Sequence, residues 1–87
     1  MFWIYMLQCA DDSYYVGHTE DLDYRLAQHH AGTFAHCYTF KRRPLRLVFS
    51  QALGTRLEAL DAERQIKGWS RAKKQALIAG DWERISG

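Results

Sequence analysis

From Phe2 to Cys9 the chain reads Phe-Trp-Ile-Tyr-Met-Leu-Gln-Cys, aromatic, β-branched and apolar at both sets of alternating positions. A strand with one wet face alternates with polar residues, whereas a run that is apolar in both phases predicts a buried strand. Such a strand needs other elements to cover it, and 87 residues are too few for two domains that each bury a core of their own. Residues 1–87 are therefore read as a single domain.

Asp11-Asp12-Ser13 interrupts the run, and Tyr14 to His18 resumes strand character, which predicts a hairpin. Thr19 is placed to cap a helix from about Glu20 to Ala31, with Glu20, Asp21 and Asp23 in its positive first turn and Gly32 to close it. Gly32 to Pro44 lacks a period and reads as a connection. Leu45 to Leu53 reads as a third strand, with Leu45, Leu47 and Phe49 alternating. Thr55 and Glu58 have capping-box spacing, Gly68 stops that helix, and Ser70 caps a last helix that ends at Gly80. The order is β-β-α-β-α-α. The expected class is α/β in the α+β sense, a three-stranded antiparallel-type sheet flanked by helices.

Composition excludes several alternatives. A chain that is 47% hydrophobic, 14% aromatic and 25% charged buries a core rather than staying disordered. The uncharged stretch Met1 to Ala10 is too short to span a bilayer and lacks the flanks of a signal peptide, so no membrane partner is expected. Cys9 and Cys37 allow one disulfide at most, which makes the reducing cytoplasm the default compartment. His18, His29, His30 and His36 with the two cysteines have no zinc-site spacing, and no glycine-rich phosphate loop or nucleophile elbow is present.

Charge is unevenly distributed. Residues 1–40 hold one basic side chain, Arg25, against five acids, whereas residues 41–87 hold 11 of the 12 Lys and Arg. Lys41, Arg42, Arg43 and Arg46, then Lys67, Arg71, Lys73 and Lys74, suit the phosphates of a polyanion, although on charge alone solvated helix faces are the commoner source of such a pattern.

Four features could carry chemistry. Tyr5 and Tyr15 share a sheet face if the hairpin loop has an odd number of residues, as it does with Asp11, Asp12 and Ser13 in the loop and Ala10 opposite Tyr14. Gly17 inside a strand marks a bulge or a close approach. Arg25 and His29 lie four apart on one helix face, a guanidinium beside an imidazole, though an Arg stem and a surface His would give the same spacing. At 100° per residue Glu63 falls only about 40° from Ala59, within the apolar arc that includes Ile66. A carboxylate there needs a cation, either Lys67 four residues on or a metal ion.

Trp3-Ile4-Tyr5, then Tyr15-Val16-Gly17, then Arg25, His29 and the later Glu63, together resemble the GIY-YIG nuclease domain family over essentially the whole chain. Asp21-Leu22-x-x-Arg25-Leu26-x-x-His29 and Arg42-Arg43-Pro44-x-x-Leu47-Val48 resemble its small stand-alone bacterial members. The resemblance implies a three-stranded sheet with flanking helices and phosphodiester cleavage assisted by one divalent metal ion, Mg or Mn. It implies that Tyr5 and Tyr15 orient or deprotonate the attacking water, that Arg25 stabilises the phosphorane, and that Glu63 binds the metal. There are two departures: Trp3 replaces the first Gly of the name motif, and the family's late Asn has no counterpart, since Leu77 to Trp82 contains none.

The expected function is a metal-dependent endonuclease acting on DNA, with selectivity for branched, nicked or single-stranded forms and weak sequence preference. The alternative is a nucleic-acid-binding module with little catalysis, and a structural or protein-interaction domain is the third reading.

Overall fold

The computed structural model describes residues 1–33 and 37–81. Strands β1 (Phe2–Gln8) and β2 (Tyr14–Thr19) are followed by helix α1 (Leu22–Ala31), strand β3 (Arg46–Leu53) and helices α2 (Arg56–Lys67) and α3 (Arg71–Ala79). One turn of 3-10 helix, Phe40–Arg42, lies in the connection before β3. The sheet order is β2-β1-β3, with both pairings antiparallel. Class and element order are those expected; His36 and Trp82 lie outside the described residues.

The central position of β1 explains its double apolar phase. Ile4 and Met6, with Val16 of β2, pack against Ile66 of α2 and Leu77 of α3. Tyr5 and Leu7, with Cys9 and Leu45, pack against Leu22 and Leu26 of α1. Alternate residues of one strand thus feed two cores on opposite faces of the sheet, and none of Ile4 to Leu7 is more than 1% exposed.

The hairpin loop is odd, as expected, but sits one residue earlier. Tyr5 pairs with Gly17 and Gln8 with Tyr14, so the loop is Ala10-Asp11-Asp12 and not Asp11-Asp12-Ser13. Asp12 N–H donates to the Cys9 carbonyl at 3.0 Å and Cys9 N–H to the Ser13 carbonyl at 2.8 Å. Asp12 takes the left-handed conformation, φ 66°, that such a three-residue loop requires and that Asp tolerates. The shift of two in register preserves parity, so Tyr5 and Tyr15 remain on one face.

Two further boundaries differ. Helix α1 begins at Leu22, not Glu20, because Asp21 and not Thr19 is its cap: the Asp21 carboxylate accepts from Tyr24 N–H at 3.1 Å. Thr19 ends β2 and accepts from Asp21 N–H at 3.2 Å. In β3 the Leu45, Leu47, Phe49 alternation fails at a bulge, where Met6 pairs with Phe49 but Leu7 pairs with Leu47. Val48 is the extra residue, and both it and Phe49 pack on the α2 side. The caps of α2 and α3 are as read, Thr55 accepting from Glu58 N–H and Ser70 from Lys73 N–H, each at 3.2 Å.

Candidate active site

Tyr5 and Tyr15 lie on the α1 face of the sheet with ring centroids 6.4 Å apart. His29, in the last turn of α1, stands edge-on to both rings. Its Nε2 is 2.9 Å from the Tyr5 hydroxyl and its Nδ1 is 3.1 Å from Thr39 Oγ1. The surface-histidine reading of the Arg25 and His29 spacing is overturned, since His29 is 2% exposed. Gly17 lies directly opposite Tyr5 and makes room for its ring.

These surroundings set the protonation states. Burial, aided by the neighbouring Tyr15, holds the Tyr5 phenol well above its ordinary range, with Arg25 acting against the shift. Burial also pushes Tyr15 up to about 12, with Cys37 adding to it. For His29 burial and then the charge of Arg25 and the neighbouring His30 all lower the pKa, so at neutral pH the imidazole is the uncharged form that can accept a proton.

Glu63 belongs to the opposite layer. It projects from α2 toward β2, where its Oε2 lies 3.0 Å from His18 Nδ1 and its Oε1 lies 3.4 Å from Lys67 Nζ. Its side chain is 15% exposed, which agrees with its place in the apolar arc of the helix. The two groups of site residues meet around β2, an edge strand. There a cleft of about 410 Å³ is lined by Arg25 from α1, His18 and Thr19 from β2, Arg56 from α2, and Phe2, Glu20 and Asp21; of the expected catalytic residues Arg25 lines it, while Tyr5, Tyr15, His29 and Glu63 do not. The Glu63 charge also bears on both phenols, raising their pKa values.

Among the described residues no three His, Cys, Asp or Glu gather into a cage. The half-buried carboxylate of Glu63 instead fits a hard divalent cation that takes one protein oxygen and completes its shell with water and phosphate oxygens.

The cations expected to meet DNA are for the most part already engaged. Arg42 pairs with Asp11 at 3.0 Å and covers the Tyr38 ring, 3.8 Å from its centroid. Arg43 donates to the Phe40 and His30 carbonyls and lies over the Phe40 ring. Arg46 donates to Gln8 at 2.7 Å, and Arg71 to the Asp12 carbonyl at 2.6 Å while covering Tyr14. Lys73 lies over Trp69, Lys67 meets Glu63, Lys41 borders a depression with Asp11, and Lys74 is half-buried. Arg42, Arg46 and Arg71 surround the hairpin loop, at the far end of β1 from the Arg25 cleft.

Sequence reasoning missed four participants. His18 shares the strand parity of Val16, which packs on α2, and that parity was a usable signal for its contact with Glu63. Arg56 stands in the first turn of α2, where the helix dipole disfavours a cation, an anomaly that could have marked it. Thr39 and Cys37 lie in an aperiodic connection and gave no signal.

The geometry has a counterpart in known proteins. The model of the GIY-YIG catalytic domain matches residues 1–76, and the chain belongs to that family of nuclease domains. A UPF0213 protein of Natronomonas pharaonis is 39% identical over 79 residues, spanning 91% of this chain and 92% of its own. A UPF0213 protein of Bacillus pumilus is 42% identical over 76 residues, 87% of this chain and 76% of its own. The solution NMR structure of a UPF0213 protein from Bacillus halodurans, 38% identical, superposes with a TM-score of 0.60 and covers 93% of this chain and 86% of that one.

Proposed function

We propose that the protein is a divalent-metal-dependent endonuclease that hydrolyses DNA phosphodiester bonds in the cleft at the β2 edge. The observation that carries this reading is the Tyr5 hydroxyl held 2.9 Å from an uncharged, buried His29 within a GIY-YIG domain. A structural core would have no need to place a proton acceptor there, beside Arg25.

The attacking water is oriented by Tyr15 and gives a proton to the Tyr5 oxygen as the Tyr5 proton passes to His29 Nε2. A phenol held far above neutrality is a poor base by itself, and the concerted transfer to the imidazole removes the need for a free phenolate. The water oxygen forms its bond to phosphorus as the bond to the leaving oxygen breaks, and that alkoxide takes its proton from bulk water. Arg25 forks onto the phosphoryl oxygens as charge builds on them. Mg²⁺ or Mn²⁺ held by Glu63 would supply Lewis-acid stabilisation to the same oxygens. The cationic side chains suit phosphates more than base edges, so sequence preference is weak and selection is by DNA form, with branched, nicked or single-stranded DNA preferred.

A nucleic-acid-binding role with little cleavage is favoured by one observation, the engagement of both Glu63 oxygens by His18 and Lys67. The test is incubation of purified protein with labelled duplex, nicked, single-stranded and branched DNA, with Mg²⁺ or Mn²⁺ and with chelator. Cleavage that the chelator abolishes is expected; binding without cleavage of any form would replace the nuclease reading with the binding one.

A further inference from the structure

The Tyr5 and His29 contact is one end of a longer run of hydrogen bonds. From His29 Nδ1 it continues 3.1 Å to Thr39 Oγ1, and the Thr39 hydroxyl donates to Cys37 Sγ at 3.5 Å. The Tyr15 hydroxyl and backbone groups of Tyr38 and Thr39 also act on the same sulfur, favouring its thiolate. Burial alone would raise the Cys37 thiol, but these donors, Thr39 foremost, outweigh it and set the thiol below its ordinary value. The sulfur thus accepts from the Thr39 hydroxyl.

A hydroxyl has one proton to give. Thr39 is 1% exposed, so that proton goes to a protein neighbour, Cys37 Sγ or His29 Nδ1, and donation to the sulfur is the arrangement the 3.5 Å contact describes. The Thr39 oxygen can then only accept from His29, which requires the hydrogen on Nδ1. Nε2 is left with a bare lone pair facing the Tyr5 hydroxyl.

We propose that Thr39, itself held by Cys37, is a positioning residue that fixes His29 in the Nδ1–H tautomer and so keeps Nε2 ready for the Tyr5 proton. The consequence for cleavage rests on the nuclease reading above; the tautomer does not. Once Nε2 is protonated, the Nδ1–H bond to Thr39 and the electron-rich sulfur behind it stabilise the imidazolium without moving a second proton. The logic is that of a carboxylate orienting a catalytic imidazole, with a neutral hydroxyl and a thiol in its place. Among the described residues Tyr15 from β2 and Arg25 and His30 from its own helix also face His29. Arg25 and His30 oppose the imidazolium, whereas Thr39 favours it.

Two measurements separate this proposal from the nuclease reading. Long-range ¹H–¹⁵N spectra of the ¹⁵N-histidine protein, without metal or DNA, are expected to show His29 as the Nδ1–H tautomer. Thr39→Val should release it toward Nε2–H, Thr39→Ser should restore it, and Cys37→Ala should give a mixture. In cleavage assays Thr39→Val should lower kcat by at least about tenfold with KM unchanged, a part of the roughly 10²–10⁴-fold that positioned proton transfer contributes in full, and Thr39→Ser should recover it. A wild-type His29 in the Nε2–H form, or a tautomer unmoved by Thr39→Val and Cys37→Ala, would overturn the proposal. If Thr39→Val does not fold, the wild-type and Cys37→Ala spectra decide. A pinned tautomer in a protein that cleaves no DNA would uphold the role of Thr39 and remove only the nuclease reading.

Discussion

The ring of Tyr5 lies across Gly17 so closely that a Cβ on Gly17 would stand 2.6 Å from the Tyr5 oxygen and 2.7 Å from Cζ. Those atoms cannot swing aside, because the ring is buried and its oxygen is tied to His29. Gly17→Ala is expected to destabilise the fold by about 1–3 kcal/mol through overpacking and to displace Tyr5 from His29. Thermal unfolding of Gly17→Ala, Tyr5→Leu and the double variant checks this. The alanine should cost much less in the Tyr5→Leu background, and equal costs would show that the ring is not what Gly17 accommodates.

Stability should depend on pH through His29. Its pKa in the folded protein lies below the ordinary 6.5, so at pH values between the two the unfolded chain binds the additional proton. Stability from this group therefore rises with pH up to about 6.5 and is level above it. Thermal midpoints across pH 5–8 should show a component that disappears in His29→Gln, and on the proposed mechanism cleavage should fall over the same acid range. A pH profile of stability unchanged by His29→Gln would place the titration elsewhere.

Glu63 distinguishes a metal role from a plain ion pair. On the nuclease reading Glu63→Gln abolishes metal-dependent cleavage while folding and DNA binding persist, and Lys67→Met leaves cleavage largely intact. As part of a structural pair alone, the two substitutions would each cost on the order of 1 kcal/mol with no selective loss of activity. Cleavage rate and thermal midpoint, measured for both variants, give the answer.

Arg42 and Arg43 are adjacent but should behave differently. The Arg42 and Asp11 pair is exposed and screened by solvent, so Arg42→Ala should leave stability nearly unchanged and flatten the dependence of DNA affinity on salt by about one unit of slope. Arg43 ties the Phe40 and His30 carbonyls together and lies over Gly32. Arg43→Ala should lower the thermal midpoint more than Arg42→Ala does. An unchanged salt slope in Arg42→Ala would mean that the guanidinium stays with Asp11 and Tyr38 when DNA binds.

What could be read from the residues was whatever depends on local spacing. The double phase of β1, the caps at Thr55 and Ser70, and the inward place of Glu63 follow from periodicity and side-chain chemistry. The hairpin register did not, because Ala10 and Ser13 compete for the loop and only the left-handed Asp12 decides between them. Competition also misplaced the start of α1, where Thr19 and Asp21 both offer an oxygen. The bulge at Val48 and the run from His29 to Cys37 depend on contacts between distant elements, which no local pattern encodes.

Division of the site between the two faces of the sheet has a consequence for how the protein is made. Tyr5, Tyr15, Arg25, His29, Cys37 and Thr39 all precede β3, whereas Glu63 and the apolar cover from Ile66 and Leu77 arrive with α2 and α3. A nascent chain that has not yet released α2 from the ribosome holds the phenols and the imidazole but lacks the carboxylate and one of its two cores. On the proposed reading, the metal-holding carboxylate is the last of the catalytic side chains to be synthesised.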